Sequence, residues 1–151
     1  MILILGMPRS GTSYISNILE SMGYNFNFDN DNLLDNVYKP NTKYYQHKNL
    51  HIDLYNTIAK NYEVTNDIIH VPDCEIIKEP YLLFALNSIR HKISKVVLMV
   101  RNPTEVIKSG NKFIKENGSN GSKINYNTWN KYYITSLNEI KDNPFIIPNY
   151  D

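Results

Sequence analysis

Apolar residues along the chain follow two patterns: short runs, and longer stretches in which they recur every three or four positions. The runs predict strands at residues 1–5, 74–77, 95–100 and 145–147. The first run has no polar position, which is typical of a strand covered on both faces in a parallel sheet. The run at 95–100 is the clearest strand in the chain, and it stops at Arg101-Asn102-Pro103.

Helical spacing directly follows each of the first three runs and predicts helices over about residues 10–22, 80–89 and 103–117. The same spacing predicts two further helices over about residues 44–62 and 127–141. Residues 23–42 lack a clear period and predict a long irregular connection, and NGSNGS at 117–122 predicts a loop. Strands that alternate with helices predict an α/β fold with a mainly parallel central sheet flanked by helices.

The first strand leads into a loop bracketed by glycines, GMPRSGTS, at residues 6–13. Gly6 and Gly11 are five positions apart, as in loops whose backbone wraps a phosphate, and the free N–H groups of the following helix attract anions. An ordinary strand, turn and capped helix would show the same pattern. A signal peptide is disfavoured because the polar loop comes too early. We expect an anion site in which Arg9 replaces the lysine of a nucleotide phosphate loop.

Two further strands end beside a cation. Ile77 precedes Lys78, and Val100 precedes Arg101. Because ligands of parallel sheets collect at the carboxyl ends of the strands, these groups and Arg9 are expected at one rim. The alternative for Arg101 is a surface charge at a helix entry, and Lys78 could instead pair with a neighbouring glutamate.

Composition narrows the class of protein. Sixteen Lys and Arg against 15 Asp and Glu give a net charge of +1, which offers no general attraction for nucleic acid or a membrane surface. The single Cys74 fits a reducing compartment, and no apolar run approaches the roughly 20 residues of a membrane span. We expect one domain over residues 1–151, located in the cytoplasm.

The spacing of the motifs resembles the sulfotransferase family, in particular its bacterial and tyrosylprotein members with a GxPRSGT loop. Ser109 lies eight positions after Arg101, about two turns into the next helix, so that both side chains can reach one anion. GMPRSGTS and the KEP segment at residues 78–80 complete the resemblance, which covers nearly the whole chain. It implies a P-loop-type three-layer fold and 3'-phosphoadenosine 5'-phosphosulfate (PAPS) as sulfuryl donor, with the 3',5'-bisphosphate PAP as product.

The resemblance also implies roles for individual residues. The 5'-phosphosulfate would be held by Arg9, Ser10, Gly11, Thr12 and Ser13. The 3'-phosphate would be held by Arg101 and Ser109, and Lys78 would lie near the transferring sulfuryl group. No metal is expected, because Lys78 and Arg101 occupy strand ends where a kinase needs an acid for Mg²⁺. A P-loop kinase and a noncatalytic module that binds PAPS or PAP remain the alternatives.

The general base is less clear from the sequence. Gln46 stands where related proteins carry glutamate, and an amide cannot accept the proton. His47 is the first candidate, followed by Glu79, His51 and Asp29 or Asp31. The acceptor is expected to be a hydroxyl or amine on a small molecule, carbohydrate or peptide, in a pocket walled by residues 23–45 and the NGSNGS loop. FIIPNYD resembles a strand ending in YED, which predicts a minimal or C-terminally truncated member.

Overall fold

A four-stranded parallel sheet forms the centre of the computed structural model, which describes residues 1–28, 33–35, 43–58, 61–117, 124–141 and 144–149. The strands of the described chain are β1 (Ile2–Gly6), β2 (Leu33–Asp35), β3 (Lys43–His47), β4 (Ile76–Lys78), β5 (Lys95–Arg101) and β6 (Phe145–Asn149). The helices are α1 (Thr12–Ser21), α2 (Lys48–Thr57), α3 (Pro103–Asn117) and α4 (Tyr126–Glu139), with 3₁₀ helices at Pro80–Ser88 and Arg90–Lys92.

The sheet order is β4-β1-β5-β6, and all three pairings are parallel. Leu3 of β1 aligns with Ile77 on one side and Val96 on the other. The carboxyl ends of all four strands therefore lie along the same edge. The prediction of an α/β fold with a mainly parallel sheet is confirmed.

The central strand β1 is covered on both faces, as its unbroken apolar run predicts. Leu3 and Leu5 belong to a large cluster with the 3₁₀ helix Pro80–Ser88 and α4, whereas Ile4 faces a smaller cluster that includes Phe26. All three β1 side chains are fully buried. Successive residues of a strand point to opposite faces, so the sheet separates two layers of packing.

The helix predicted over residues 44–62 is wrong at both ends. Residues 43–47 form β3, which pairs antiparallel with β2 in a separate two-stranded sheet, and α2 begins only at Lys48 and ends at Thr57. Tyr45 has a φ of 57°, a left-handed conformation that a continuous helix does not accommodate. β2 also lies inside the connection predicted to be irregular, of which residues 29–32 and 36–42 are outside the described part of the chain.

Two other helix boundaries differ from expectation. α1 begins at Thr12 rather than at Ser10, because Arg9 and Gly11 have positive φ angles of 74° and 99°. The helix after Lys78 is a 3₁₀ helix with a kink at Ala85, and the side chain of Glu79 caps it by accepting a hydrogen bond from Tyr81 N. Among the described helices, the longest has 15 residues and none combines the length and apolarity that a membrane crossing requires.

Candidate functional site

A cavity of about 840 Å³ opens at the carboxyl edge of the sheet. Its wall includes Arg9 from the loop after β1, Lys78 from the end of β4, and Arg101 from the end of β5. Gly11, Thr12, Ser13 and Ser109 line it as well. The structure thus brings the three strand-end cations together, as the parallel arrangement of their strands predicts.

The loop after β1 has a conformation that depends on its glycines. A Cβ at Gly6 would lie 2.6 Å from Ser10 Oγ and 2.8 Å from Met99 O, which leaves no room for a side chain. Gly11 adopts φ +99°. Ser10 is buried beneath the loop and does not line the cavity: its N–H donates to Met7 O at 3.0 Å and its carbonyl accepts from Asn149 Nδ2 at 3.2 Å.

Two tyrosines of α4 form hydrogen bonds with the start of the loop, a role that the sequence did not indicate. The hydroxyl of Tyr132 accepts from Gly6 N at 3.1 Å and donates to Pro80 O at 2.7 Å. Tyr133 does the same between Met7 N at 3.2 Å and Met99 O at 2.7 Å. Burial raises the pKa of both phenols, so both remain neutral donors. Each hydroxyl ties the start of the loop to a neighbouring segment at the sheet edge.

Arg9 and Arg101 lie against each other at one end of the cavity. Arg9 Nε donates to Ser109 Oγ at 3.1 Å, and its guanidinium lies 5.1 Å from the centre of the Phe113 ring. Arg101 Nη1 donates to Arg9 O at 2.9 Å, while Trp129 Nε1 donates to Arg101 O at 3.1 Å. The structure therefore places Arg9, predicted for the 5' group, in direct contact with Arg101 and Ser109, both predicted for the 3'-phosphate.

Lys78 is buried beside Ser13, the last residue of the loop. Its Nζ donates to Tyr44 O at 2.7 Å, Ser13 Oγ at 3.1 Å and Gln46 Oε1 at 3.4 Å, all neutral acceptors. Burial lowers the pKa of this amine to about 8, with Glu79 opposing the shift and Arg9 adding to it. An anion in the cavity would stabilise the protonated form.

Beyond Lys78, three polar side chains form a connected cluster. Glu79 Oε2 lies 3.0 Å from His51 Nδ1 and accepts from Gln46 Nε2 at 2.9 Å. Gln46 Nε2 also lies 2.9 Å from His51 Nδ1. Burial alone would raise the pKa of Glu79, but the charge of His51 and the hydrogen bonds from His51, Gln46 and Tyr81 N outweigh it and keep that pKa below its usual value. Glu79 is fully buried, whereas His51 and Gln46 reach the cavity wall.

The structure does not bring His47 to the cavity, contrary to its choice as first candidate for the base. Its ring is almost completely buried, with Nε2 3.0 Å from Phe26 O and the ring centre 4.7 Å from that of Phe28. The reason is strand geometry: side chains alternate along β3, so that Tyr44 and Gln46 line the cavity and His47 points away from it. The helix predicted over residues 44–62 does not have this alternation, so it did not separate Gln46 from His47.

Other predicted features lie wholly or partly outside the described residues. Asp29 and Asp31, and most of the NGSNGS loop, belong to these segments, as do the last two residues of the YED-like terminus. In the described part of the chain, no group of three or more His, Cys, Asp or Glu side chains is placed to hold a metal ion.

A family model described as "Sulfotransferase domain" matches residues 1–142, nearly the full length of the chain. Neither the curated proteins nor the solved structures gave a match. The family match spans the loop after β1, the KEP segment, the Arg101 and Ser109 pair, and α4.

Proposed function

The chain belongs to the sulfotransferase domain family, and from this premise we propose that its cavity binds PAPS and transfers the sulfuryl group to a hydroxyl or amine acceptor. The observation that carries the proposal is the meeting of Arg9, Lys78 and Arg101 in one cavity from three adjacent strand ends. A donor with anionic groups at its 5' and 3' positions matches a cavity in which Lys78 lies beside Ser13 and Arg101 lies beside Arg9. No metal is required in this proposal.

The 5' end of the donor would lie on the loop between β1 and α1. The N-terminus of α1 presents backbone N–H groups and the hydroxyls of Thr12 and Ser13, all of which favour an anion. Gly6 and Gly11 support the fit, because a side chain at Gly6 would collide with the loop and Gly11 holds a left-handed turn in the cavity wall. Ser10 would contribute through its place in this turn, since its side chain lies below the cavity wall.

The 3'-phosphate would lie between Arg101 and Ser109. Arg9 already contacts both residues, through Ser109 Oγ and through its own carbonyl oxygen. An arginine fork and a hydroxyl are well suited to phosphate oxygens. This second anion site would distinguish PAPS from nucleotides that lack a 3'-phosphate.

The donor supplies an activated sulfuryl group attached to a phosphate leaving group. Negative charge grows on the oxygens around the sulfur during an in-line transfer, and fixed cations and dipoles lower the barrier by stabilising that charge. Lys78 and Arg9 would provide the cations. Lys78 is already fixed by three hydrogen bonds, so little reorganisation is needed when charge develops beside it.

A transfer assay with ³⁵S-labelled PAPS and pooled phenols, sugars, amines and peptides tests the proposal. We expect label transfer in the presence of EDTA, loss of transfer in Arg9→Ala, and little change in Lys108→Ala, an exposed cation of α3 that does not line the cavity. PAP binding without transfer to any acceptor would favour a noncatalytic nucleotide-binding module. ATP binding that depends on Mg²⁺, with no binding of PAP, would favour a P-loop kinase.

A further inference from the structure

The cluster formed by Gln46, His51 and Glu79 comes from three different elements: β3, α2 and the residue after β4. Its contacts are 2.9–3.0 Å long, and its carboxylate is fully buried. A buried carboxylate is costly unless it is paired and hydrogen-bonded. The cluster therefore keeps Glu79 charged below the cavity floor, directly behind a histidine that reaches the cavity.

We propose that His51 is the general base that takes the proton of the acceptor, and that Glu79 is a positioning residue that orients its ring. This inference rests on the proposed sulfuryl transfer. His51 Nδ1 lies 3.0 Å from Glu79 Oε2, and Gln46 Nε2, which can only donate, is bonded to the same oxygen. With Nδ1–H donating to that carboxylate, Nε2 is the ring nitrogen left for a proton from the cavity. A carboxylate that holds one imidazole nitrogen fixes the tautomer and stabilises the imidazolium that forms.

Gln46 supports this arrangement by separating two charges. Its Oε1 accepts from Lys78 Nζ at 3.4 Å, while its Nε2 donates to Glu79 Oε2 at 2.9 Å. The neutral amide thus contacts the ammonium with its acceptor and the carboxylate with its donor. It cannot itself accept the proton, so the presence of glutamine at this position agrees with a base located one turn into α2.

In the transfer step, the acceptor oxygen forms a bond to sulfur and its proton moves to His51 Nε2. The bond between sulfur and the bridging oxygen breaks, and that oxygen keeps the electron pair beside Lys78. The imidazolium, held against Glu79, later releases its proton to solvent. No further reactant is needed for the step to balance.

The groups around His51 hold its ring in place. Glu79 Oε2 lies at its Nδ1, the ring centres of Tyr55 in α2 and Tyr81 in the 3₁₀ helix lie 6.0 Å from it, and Gln46 connects the cluster to Lys78. The carboxylate is the charged group in direct contact, so it would stabilise the imidazolium that forms when the ring accepts the proton.

Sulfate transfer from PAPS to 2-naphthol tests these roles. We expect His51→Gln to lower kcat by about 10² to 10⁴-fold and to leave KM for PAPS within about twofold of wild type. Glu79→Gln, which retains an acceptor for Tyr81 N, should cause a smaller loss of kcat. Because Glu79 acts through His51, the double variant should be no slower than His51→Gln alone. A merely structural role of Glu79 would lower kcat further in the double variant. His91→Gln, on the exposed 3₁₀ helix Arg90–Lys92, is the control.

Two readouts separate failure of this inference from failure of the proposed function. PAP affinity, measured by calorimetry, should stay within about twofold of wild type in both variants, because neither side chain belongs to the anion sites. If the wild-type protein itself does not bind PAP, the proposed function is rejected. Acylation by diethylpyrocarbonate, mapped by mass spectrometry, should modify His51 and spare His47 in the folded protein. Transfer by His51→Gln at the wild-type rate, or a His51 as unreactive as His47, would overturn the inference.

Discussion

Replacing Tyr132 by phenylalanine should destabilise both the fold and the phosphate loop. The substitution removes a fully buried hydroxyl that bonds Gly6 N and Pro80 O, and leaves both backbone groups without that partner. A buried polar group left unsatisfied costs about 1–3 kcal/mol, so the two together should lower the free energy of unfolding by about 2–6 kcal/mol. Because domains of this size are stable by only about 5–15 kcal/mol, urea denaturation followed by circular dichroism will resolve the change.

The matched control is Tyr126→Phe, in the same helix. The Tyr126 side chain is 55% exposed and its hydroxyl lies 3.1 Å from Thr104 Oγ1, so water can replace the lost contact. We expect a change within about 0.5 kcal/mol for this variant. PAP affinity should fall in Tyr132→Phe and not in Tyr126→Phe. A Tyr132→Phe protein as stable as wild type would refute the view that this hydroxyl holds the loop.

Two further predictions concern the loop and Lys78. Burial lowers the pKa of Lys78 to about 8, so the amine is protonated below that pH and kcat/KM for PAPS should fall as pH rises through about 8. Lys78→Met should remove this fall at alkaline pH. A wild-type profile that stays flat to pH 10 would contradict the role of Lys78. Gly11→Ala places a side chain at φ +99° with its Cβ 2.7 Å from Asn149 Nδ2, and should cost at least about 1–2 kcal/mol and weaken PAP binding. Gly23→Ala, at φ +95° with no atom within 4 Å, should show only the conformational cost of about 1–2 kcal/mol in urea denaturation and leave PAP affinity unchanged.

The parts of the fold that the sequence predicted are those that depend on local pattern. The unbroken run at residues 1–5 predicted a strand covered on both faces, and three apolar runs ending beside Arg9, Lys78 and Arg101 predicted a cationic rim. Both inferences need only the alternation of strands and helices and the rule that parallel strands end at one edge. Neither prediction depends on how the helices pack against the sheet.

Features that depend on tertiary contacts could not be predicted. The aromatic residues of β3 fit a helix or a strand equally well, and only the strand reveals that Gln46 faces the cavity and His47 does not. The hydrogen bonds of Tyr132 and Tyr133 span more than 120 positions to Gly6 and Met7, so their sequence shows only an apolar helix face. Glu79 looked like a possible base or a partner for Lys78, but its contact with His51 arises from the packing of α2.

The most direct test of the PAPS site is calorimetric binding of PAP and of adenosine 5'-monophosphate, in EDTA, to wild type and to Arg101→Ala. Charged hydrogen bonds contribute about 1.5–3 kcal/mol each, so PAP should bind wild type at least about tenfold more tightly than the ligand without a 3'-phosphate. Arg101→Ala should remove most of this difference and leave binding of the monophosphate nearly unchanged. Equal losses for both ligands would show that Arg101 acts only through its bond to Arg9 O and would contradict the proposed 3'-phosphate site.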